Sequence, residues 1–422
     1  MRTAALLALG AALVTTPALA DTTVIHAGAL ITDAASQPRG KSTVIVTDGR
    51  IASIEDGFAD APAGASVVDL RDKTVAPGMV DLHVHLTGDP GGDFWKSAVE
   101  PDEWDVVVGA KNARLTALAG FTTVREAGSG RASAFALRRG TEEGLIAGPR
   151  ILAAGPALAI VGGHGDVNGF RPEVNEVLDT GFTCTGPVEC AAKVRLASQN
   201  GADVIKITAT GGVLSQQGRG LEAHFSDAEM KSIADTAHSL GLKVMAHAHG
   251  ARGVEAASRA GIDTIEHGTY LDEAAAREMK KNGTVLVPTL MAFQGVTERL
   301  GKGIYTPVVE TKIRAVAETA RVFMGKARQW GVPIAFGTDA GVFGHGRNAG
   351  EFTLMVEQGM GHREAFAAAT TNAARVLGME NEIGRIAPGY SADLIAVGGN
   401  PLEDTATLEN VSWVMVRGRV ID

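Results

Sequence analysis

The chain has 422 residues, 45% of them hydrophobic and 21% charged, with 53 glycines and a formal net charge of −9 at pH 7. This length favours one large domain with a smaller one, and the apolar content suffices for a large core, which argues against disorder. The negative charge argues against nucleic acid as a partner and gives no reason to expect binding to an anionic membrane surface.

The first twenty residues have the pattern of a secretory signal peptide. Arg2 precedes an apolar run from Ala4 to Val14, and small residues end the segment before Asp21. The run is too short to span about 30 Å of hydrocarbon, and no other segment suggests a membrane span. We therefore predict that residues 1–20 are removed near Ala20 and that the mature protein is periplasmic or secreted.

The next segment, residues 21–74, is patterned as short strands and turns. Within it, STVIVTDGRIASI predicts a hairpin with Asp48 and Gly49 at the turn. Strand-like segments return in residues 384–422, as GRIAPGYSADLIAV and VSWVMVRGRVI. We expect both chain ends to build one small β-sandwich domain.

Residues 75–383 alternate between apolar strands and amphipathic helices. Eight strand candidates can be counted, and helical segments such as DAEMKSIADTAHSLG are closed by glycine. This rhythm predicts an α/β fold, a (β/α)8 TIM barrel. The alternative is a doubly wound sheet, which lacks support because no glycine-rich dinucleotide fingerprint follows a first strand.

Two cysteines, Cys184 and Cys190, lie close together in GFTCTGPVEC. In an oxidising compartment a short-loop disulfide is plausible, and two unpaired thiols are the alternative. They do not resemble a zinc site, because their spacing is wrong and no second pair of ligands accompanies them.

Metal-type ligands stand at the ends of five predicted strands. In a strand, residues two apart share a face, so the two histidines of DLHVHL point together. Active sites of barrels lie where the carboxyl ends of the strands meet. Each of these residues taken singly has an ordinary structural explanation, but their joint occurrence indicates a metal site. The set comprises His83, His85, Lys206, His247, His249, His267 and Asp339.

These residues and their order along the strands resemble the binuclear form of the amidohydrolase superfamily, and the resemblance covers the mature chain nearly end to end. Within it, the chain resembles the imidazolonepropionase-related branch. That branch includes dipeptidases that cleave before a C-terminal Pro, Arg or Lys, and amidohydrolases that degrade ochratoxin. The chain is very similar to the secreted bacterial examples of the latter.

The resemblance implies a role for each ligand. His83 and His85 would bind the more buried metal together with Asp339, and His247 and His267 would bind the second. Lys206 would bridge the two after carboxylation by CO2 to N6-carboxylysine, since a free ammonium has no lone pair to offer. Spacing within the family favours His247 over His249 as the ligand. Two zinc ions are expected from the nitrogen and oxygen donors, with manganese or cobalt as alternatives.

The implied reaction is hydrolysis of an amide or peptide bond to a C-terminal amino acid. A hydroxide bridging the metals would attack the carbonyl, and Asp339 would act as general base and then pass the proton to the leaving amine. The substrates would be N-acyl amino acids, dipeptides or ochratoxin-like amides of phenylalanine. The resemblance also implies a homo-oligomer.

Loops after the predicted strands provide candidate substrate contacts. His164 would bind an oxyanion or a carboxylate, and Arg219 would clamp a carboxylate. The remaining candidates for lining the pocket are His249, Ser215, Tyr270, Thr289 and His345. Arg125 and Glu126 are expected to form ion pairs inside the barrel.

Other functions explain less of the sequence. A cyclic-amide hydrolase or a deaminase of the same superfamily is the first alternative, although the lysine argues against mononuclear deaminases. A barrel aldolase using Lys206 as a Schiff base would leave four aligned histidines and Asp339 without a role. A periplasmic binding protein would have two lobes of similar size, which this chain does not suggest.

Overall fold

The computed structural model describes residues 22–91, 94–216 and 220–422, so the predicted signal peptide lies outside the described residues. The strands are β1 Thr22–Leu30, β2 Ser42–Thr47, β3 Arg50–Asp56, β4 Ser66–Pro77, β5 Met79–Val84, β6 Phe121–Glu126, β7 Arg150–Ala153, β8 Val204–Thr208, β9 Lys243–Ala248, β10 Thr264–His267, β11 Val285–Val287, β12 Leu394–Val397, β13 Trp413–Val416 and β14 Arg419–Val420.

The helices lie between β5 and β12, interspersed with strands as far as β11 and then following one another up to β12. They are α1 Asp102–Leu118, α2 Ser133–Glu142, α3 Pro172–Leu178, α4 Pro187–Gln199, α5 Asp227–Ser239, α6 Ala251–Ala260, α7 Glu273–Asn282, α8 Leu290–Glu298, α9 Pro307–Ala320, α10 Phe323–Gln329, α11 Gly350–Glu357, α12 His362–Ala367 and α13 Ala373–Leu377. Within the described ranges, no helix has both the length and the hydrophobicity needed to cross a membrane.

Both ends of the chain contribute to one seven-stranded sheet, in the order β14-β13-β12-β4-β1-β2-β3. The predicted hairpin is confirmed: β2 and β3 pair antiparallel, and Asp48 and Gly49 at the turn have φ values of 50° and 77°. Side chains of β1, β2, β4, β12 and β13 form one hydrophobic cluster. The described strands at the chain ends form this single sheet, so the sandwich arrangement stays a prediction.

The strands between the chain ends form two parallel sheets. One has the order β5-β6-β7 and the other β11-β10-β9-β8. Every residue of β5, β6 and β8 is buried, as in parallel strands that are covered on both faces. The α/β class predicted from the sequence is thus the class observed.

Hydrogen bonds connect these two sheets at both of their edges. On one side, Asp203 N donates to Ala153 O over 2.9 Å, and Leu158 N donates to Lys206 O over 2.8 Å. On the other side, residues 333–340 run between β11 and β5. Ala335 N donates to Leu286 O over 3.0 Å, and Asp339 N donates to His83 O over 2.7 Å. The segment predicted as the eighth strand therefore lies beside the strand that carries His83.

Local sequence signals account for several helix boundaries. Ser226 and Glu229 form a reciprocal capping box at the start of α5. Asp272 caps α7, which ends at Gly283 in the left-handed conformation.

The two cysteines form a disulfide, with Cα atoms 5.1 Å apart. It joins the first turn of α4 to the loop before it, which also contains Thr180. The structure therefore contains the disulfide that the sequence suggested, and not two unpaired thiols.

Candidate metal centre

A cavity of about 350 Å³ opens where the carboxyl ends of the parallel strands meet. Seven of its lining side chains are the ligand candidates identified in the sequence: His83, His85, Lys206, His247, His249, His267 and Asp339. The structure thus gathers residues that lie up to 256 positions apart in the chain around one space.

The first group of ligand candidates consists of His83, His85 and Asp339. Asp339 Oδ1 lies 3.5 Å from His83 Nε2 and 3.4 Å from His85 Nε2. The Nδ1 atom of His83 bonds Glu266 Oε2 over 2.8 Å, and that of His85 bonds Gly128 O over 2.8 Å. Because Nδ1 is the donor in both rings, Nε2 is left as the basic nitrogen next to Asp339.

The second group consists of His247, His249 and His267. Their ring centroids lie between 4.6 and 4.9 Å apart. His267 Nδ1 bonds Thr289 Oγ1 and His249 Nδ1 bonds Thr269 Oγ1, each over 2.7 Å, whereas His247 uses Nε2 to donate to Gly211 O over 3.2 Å. His247 would therefore bind a cation through Nδ1 and His267 through Nε2, while the atom of His249 left facing the cavity is its Nε2.

Burial keeps these imidazoles neutral. It lowers the pKa of His83, His247 and His267 well below 6.5, and that of His85 to about 4. The pKa of His249 is lowered to about 3, again mainly by burial. Metal-ligating histidines must be neutral, so the desolvated cavity prepares the rings for a cation.

Lys206 and Asp339 are the ligand candidates that are not histidines. Lys206 is 4% exposed, and its Nζ lies 3.4 Å from His83 Nε2. Burial lowers the pKa of Lys206, which favours the neutral amine that carboxylation needs. Burial also raises the pKa of Asp339 to about 7, and its Oδ1 is buried without a hydrogen-bond partner. A buried orphan carboxylate oxygen beside neutral ring nitrogens fits a divalent cation.

The backbone is strained at this site. Five non-glycine residues in the described ranges have positive φ, and three of them belong to the centre or touch it: His267 at 73°, Thr289 at 51° and Asp339 at 61°. Such conformations persist only where the surroundings enforce them, and they cluster at functional sites. The strain adds an independent sign of function to the ligand geometry.

Two buried carboxylates support the ligands and were not predicted as site residues. Glu266 bonds His83 and also accepts from Arg125 Nη2 over 2.8 Å. Asp81 accepts from the backbone N–H groups of His83 and Thr338. Glu266 could have been suspected from its place next to His267, and Asp81 from sharing a face with His83. The expected ion pair of Arg125 is confirmed, with Glu266 as its partner.

His164 and His249 are the predicted substrate contacts that line the cavity. The His164 ring lies 4.2 Å from that of His247, and its Nδ1 bonds Ser215 Oγ over 2.7 Å. Ser215 thus reaches the site through His164, because it is not itself among the described lining residues.

The other predicted contacts have different surroundings. Tyr270 donates to Ala315 O over 3.1 Å, and Thr289 bonds His267. His345 lies behind His85 and bonds its carbonyl oxygen over 3.2 Å. None of these three is among the described lining residues of the cavity, so as substrate contacts they stay predictions. Arg219 lies outside the described residues.

Comparison with known proteins identifies a matching family and several similar enzymes. The amidohydrolase family profile matches residues 74–421. Ochratoxinase from Aspergillus niger is 34% identical over 416 residues, covering 91% of this chain and 83% of that protein. A crystal structure of a Xaa-Pro dipeptidase with methionine bound in its active site is 39% identical. It superposes with a TM-score of 0.88 over 95% of this chain and 99% of its own.

A further solved structure is a prolidase complexed with N-methylphosphonate-L-proline. It is 32% identical, with a TM-score of 0.86 over 95% of this chain and 99% of its own. These relatives match the branch that the sequence motifs suggested.

Proposed function

The chain belongs to the amidohydrolase family, and we propose that it is a binuclear metal-dependent hydrolase that cleaves the amide bond to a C-terminal amino acid. Its relatives support a hydrolase acting on amide bonds. The observation that carries the binuclear proposal is the presence of two three-residue ligand groups on one cavity, with Lys206 lining it as well.

His83, His85 and Asp339 would hold one cation, and His247 and His267 the other. Lys206, as N6-carboxylysine, would supply one oxygen to each. Zinc suits these nitrogen and oxygen donors. When bound, the two cations would polarise the substrate carbonyl and lower the pKa of a bound water.

His249 is the substrate contact in this proposal rather than a ligand. All three rings of the second group are close enough to share a cation, so the distances alone leave the choice open. His249 packs edge-on against Phe293, with centroids 6.2 Å apart, and so borders the apolar wall. Its Nε2 is placed to donate to the substrate while Thr269 holds its Nδ1.

Asp339 would move the proton. Its carboxylate would accept a proton from the attacking water and deliver it to the departing nitrogen, so that the leaving group departs as a neutral amine when the C–N bond breaks. Burial raises the affinity of Asp339 for a proton in the cation-free cavity. His164, opposite His247, is available to bond the oxyanion.

The cavity wall favours substrates with an apolar group. Apart from Asp339, no described lining residue is acidic, and one wall is formed by α8 through Ala292, Phe293 and Val296. A basic side chain would lack a carboxylate partner there, since buried charges need pairing. We therefore favour amides of Phe, Met or Pro over those of Arg or Lys.

The architecture in this proposal is a closed (β/α)8 barrel over residues 75–383, with β-domain parts at 21–74 and 384–422. The hydrogen bonds at both edges of the two parallel sheets support closure. Secretion and a homo-oligomeric state complete the proposal, from the pattern of residues 1–20 and from the family resemblance.

A substrate panel tests the function. Zinc-loaded protein is assayed with N-acyl amino acids, Xaa-Pro, Xaa-Arg and Xaa-Lys dipeptides and cyclic amides, and the freed amine is quantified. We expect release from the linear apolar amides and its loss on chelation. His85→Asn should abolish turnover, whereas His362→Asn, a histidine that bonds Thr405 in a partly buried setting, should not. Turnover that survives complete metal removal, or activity confined to cyclic amides, would contradict the proposal.

A further inference from the structure

We propose that Glu266 is a positioning residue: it fixes His83 in the tautomer that carries the proton on Nδ1, so that Nε2 is always available to the metal centre. Arg125 and Thr264 in turn hold Glu266. The inference rests on the proposed metal centre and assigns roles to three residues outside its ligand set.

The contacts form a buried network. Glu266 is 0% exposed, and its Oε2 lies 2.8 Å from His83 Nδ1. Its Oε1 accepts from Arg125 Nη2 over 2.8 Å and from Thr264 Oγ1 over 2.5 Å. Arg125 also donates to Leu82 O over 2.7 Å and to Thr264 Oγ1 over 3.1 Å. The network therefore ties β10 to β5 and β6 directly behind the His83 ring.

Every partner of Glu266 is a donor. Three donors converge on its two oxygens, and only a carboxylate accepts all of them. A glutamine at this position would offer one oxygen and one NH2 group. If the NH2 group faced His83, the ring would have to accept at Nδ1 and carry its proton on Nε2, which removes the ligand atom. If the NH2 group faced Arg125, its N–H donors would point at those of the guanidinium, and no hydrogen bond could form between them.

The strand geometry explains how Glu266 and His267 both point inward. Glu266 pairs with His247 and with Val287 in the parallel register of β9 and β11, and Thr264 lies two residues earlier on the same face. Alternation would send the next residue to the opposite face. Instead, His267 has φ of 73°, which breaks the alternation and turns its ring into the cavity.

The two histidines of the first group are therefore supported unequally. His85 bonds a neutral backbone carbonyl, and the carboxylate oxygen Glu126 Oε1 lies 4.0 Å from its Nδ1, beyond hydrogen-bond distance. His83 bonds a buried carboxylate. A negative partner raises the basicity of an imidazole ligand, so His83 should be the stronger donor of the pair.

Metal affinity tests this assignment without relying on turnover. Zinc is titrated into metal-free protein against a chromophoric chelator, for wild type, Glu266→Gln and Glu266→Asp. Loss of such a partner typically weakens metal binding by about 10- to 100-fold. We expect that loss at one of two sites in Glu266→Gln, with the other site unchanged, and a smaller loss in Glu266→Asp, which keeps the charge.

Asp393→Asn is the matched control. Asp393 is 3% exposed and pairs with Arg150 over 3.0 Å in the contact between the chain-end sheet and β7, so the change removes a buried carboxylate that touches no ligand. Both zinc affinities should stay at the wild-type values. Circular dichroism of the metal-free proteins checks that each variant is folded, and Glu266→Asp decides the question if Glu266→Gln does not fold.

The outcomes separate this inference from the proposed function. Unchanged zinc affinity in the folded Glu266 variants, or an equal loss at both sites, overturns the positioning role while two-metal binding stands. If wild type itself binds no zinc, the proposed function fails first and this inference with it.

Discussion

Asp81→Asn should destabilise the fold because the Asp81 carboxylate holds β5 to residues 333–340. Asp81 is 0% exposed, and each of its oxygens accepts two hydrogen bonds. Oδ1 accepts from His83 N over 3.1 Å and Thr338 N over 3.0 Å; Oδ2 accepts from Thr338 Oγ1 over 2.6 Å and Asn348 Nδ2 over 2.8 Å.

The size of the effect follows from this donor count. An asparagine has one oxygen, so its NH2 group must face two of the four donors. On the Oδ2 side the Thr338 hydroxyl can turn to accept, but the Asn348 bond is lost. Hydrogen bonds to a charged group contribute about 1.5–3 kcal/mol each. We therefore expect a loss of about 2–4 kcal/mol in the free energy of unfolding.

Urea unfolding of metal-free protein, followed by tryptophan fluorescence, measures the change. The control is Glu273→Gln, which removes an exposed i,i+4 pair with Arg277 and should change stability by less than about 0.5 kcal/mol. An Asp81→Asn variant within that same margin would show that the four hydrogen bonds of Asp81 do not contribute the expected stability. It would mean that the buried amide finds partners that the wild-type geometry does not offer.

Three further predictions address the site and the loop beside it. Asp339→Asn should lower kcat by about 10²- to 10⁴-fold on the best substrate because the proton carrier is lost; unchanged kcat in the metal-loaded variant would remove the general-base role. Val296→Glu places a carboxylate on the apolar wall and should raise kcat/KM for an Arg amide relative to a Phe amide by at least roughly tenfold, or about 1.4 kcal/mol; an unaltered ratio would show that α8 does not contact the substrate side chain. Replacing Cys184 and Cys190 with serine should reduce the free energy of unfolding by about 2 kcal/mol, since the bridge closes a short loop; reductant should then affect wild type but not the double variant, and equal sensitivity of both would contradict this.

That the ligand candidates meet in one cavity was predictable because it follows from strand periodicity. Residues two apart along an extended chain share a face, which brings together His83 in β5 and His85 directly after it, and strand ends in a parallel array meet at one side. The alternation of strands and helices likewise indicated the α/β class. Both signals are local patterns, so they can be recognised in a single sequence.

Asp81 and Glu266 could be suspected from their positions, but their hydrogen-bond partners were not predictable, because sequence order does not reveal these contacts. Asp81 bonds Asn348, 267 residues away, and Glu266 bonds His83, 183 residues away. The positive φ of His267 also breaks the alternation on which strand prediction relies. The single sheet of the chain ends depends on β12 pairing with β4, which no short pattern encodes.

The proposed function requires that two cations occupy one cavity. Crystals of the zinc-loaded protein, measured at wavelengths on either side of the zinc absorption edge, test it most directly. We expect two anomalous peaks per chain, one beside His83, His85 and Asp339 and one beside His247 and His267, with density on Lys206 joining them. A single peak, or peaks away from these side chains, would contradict it.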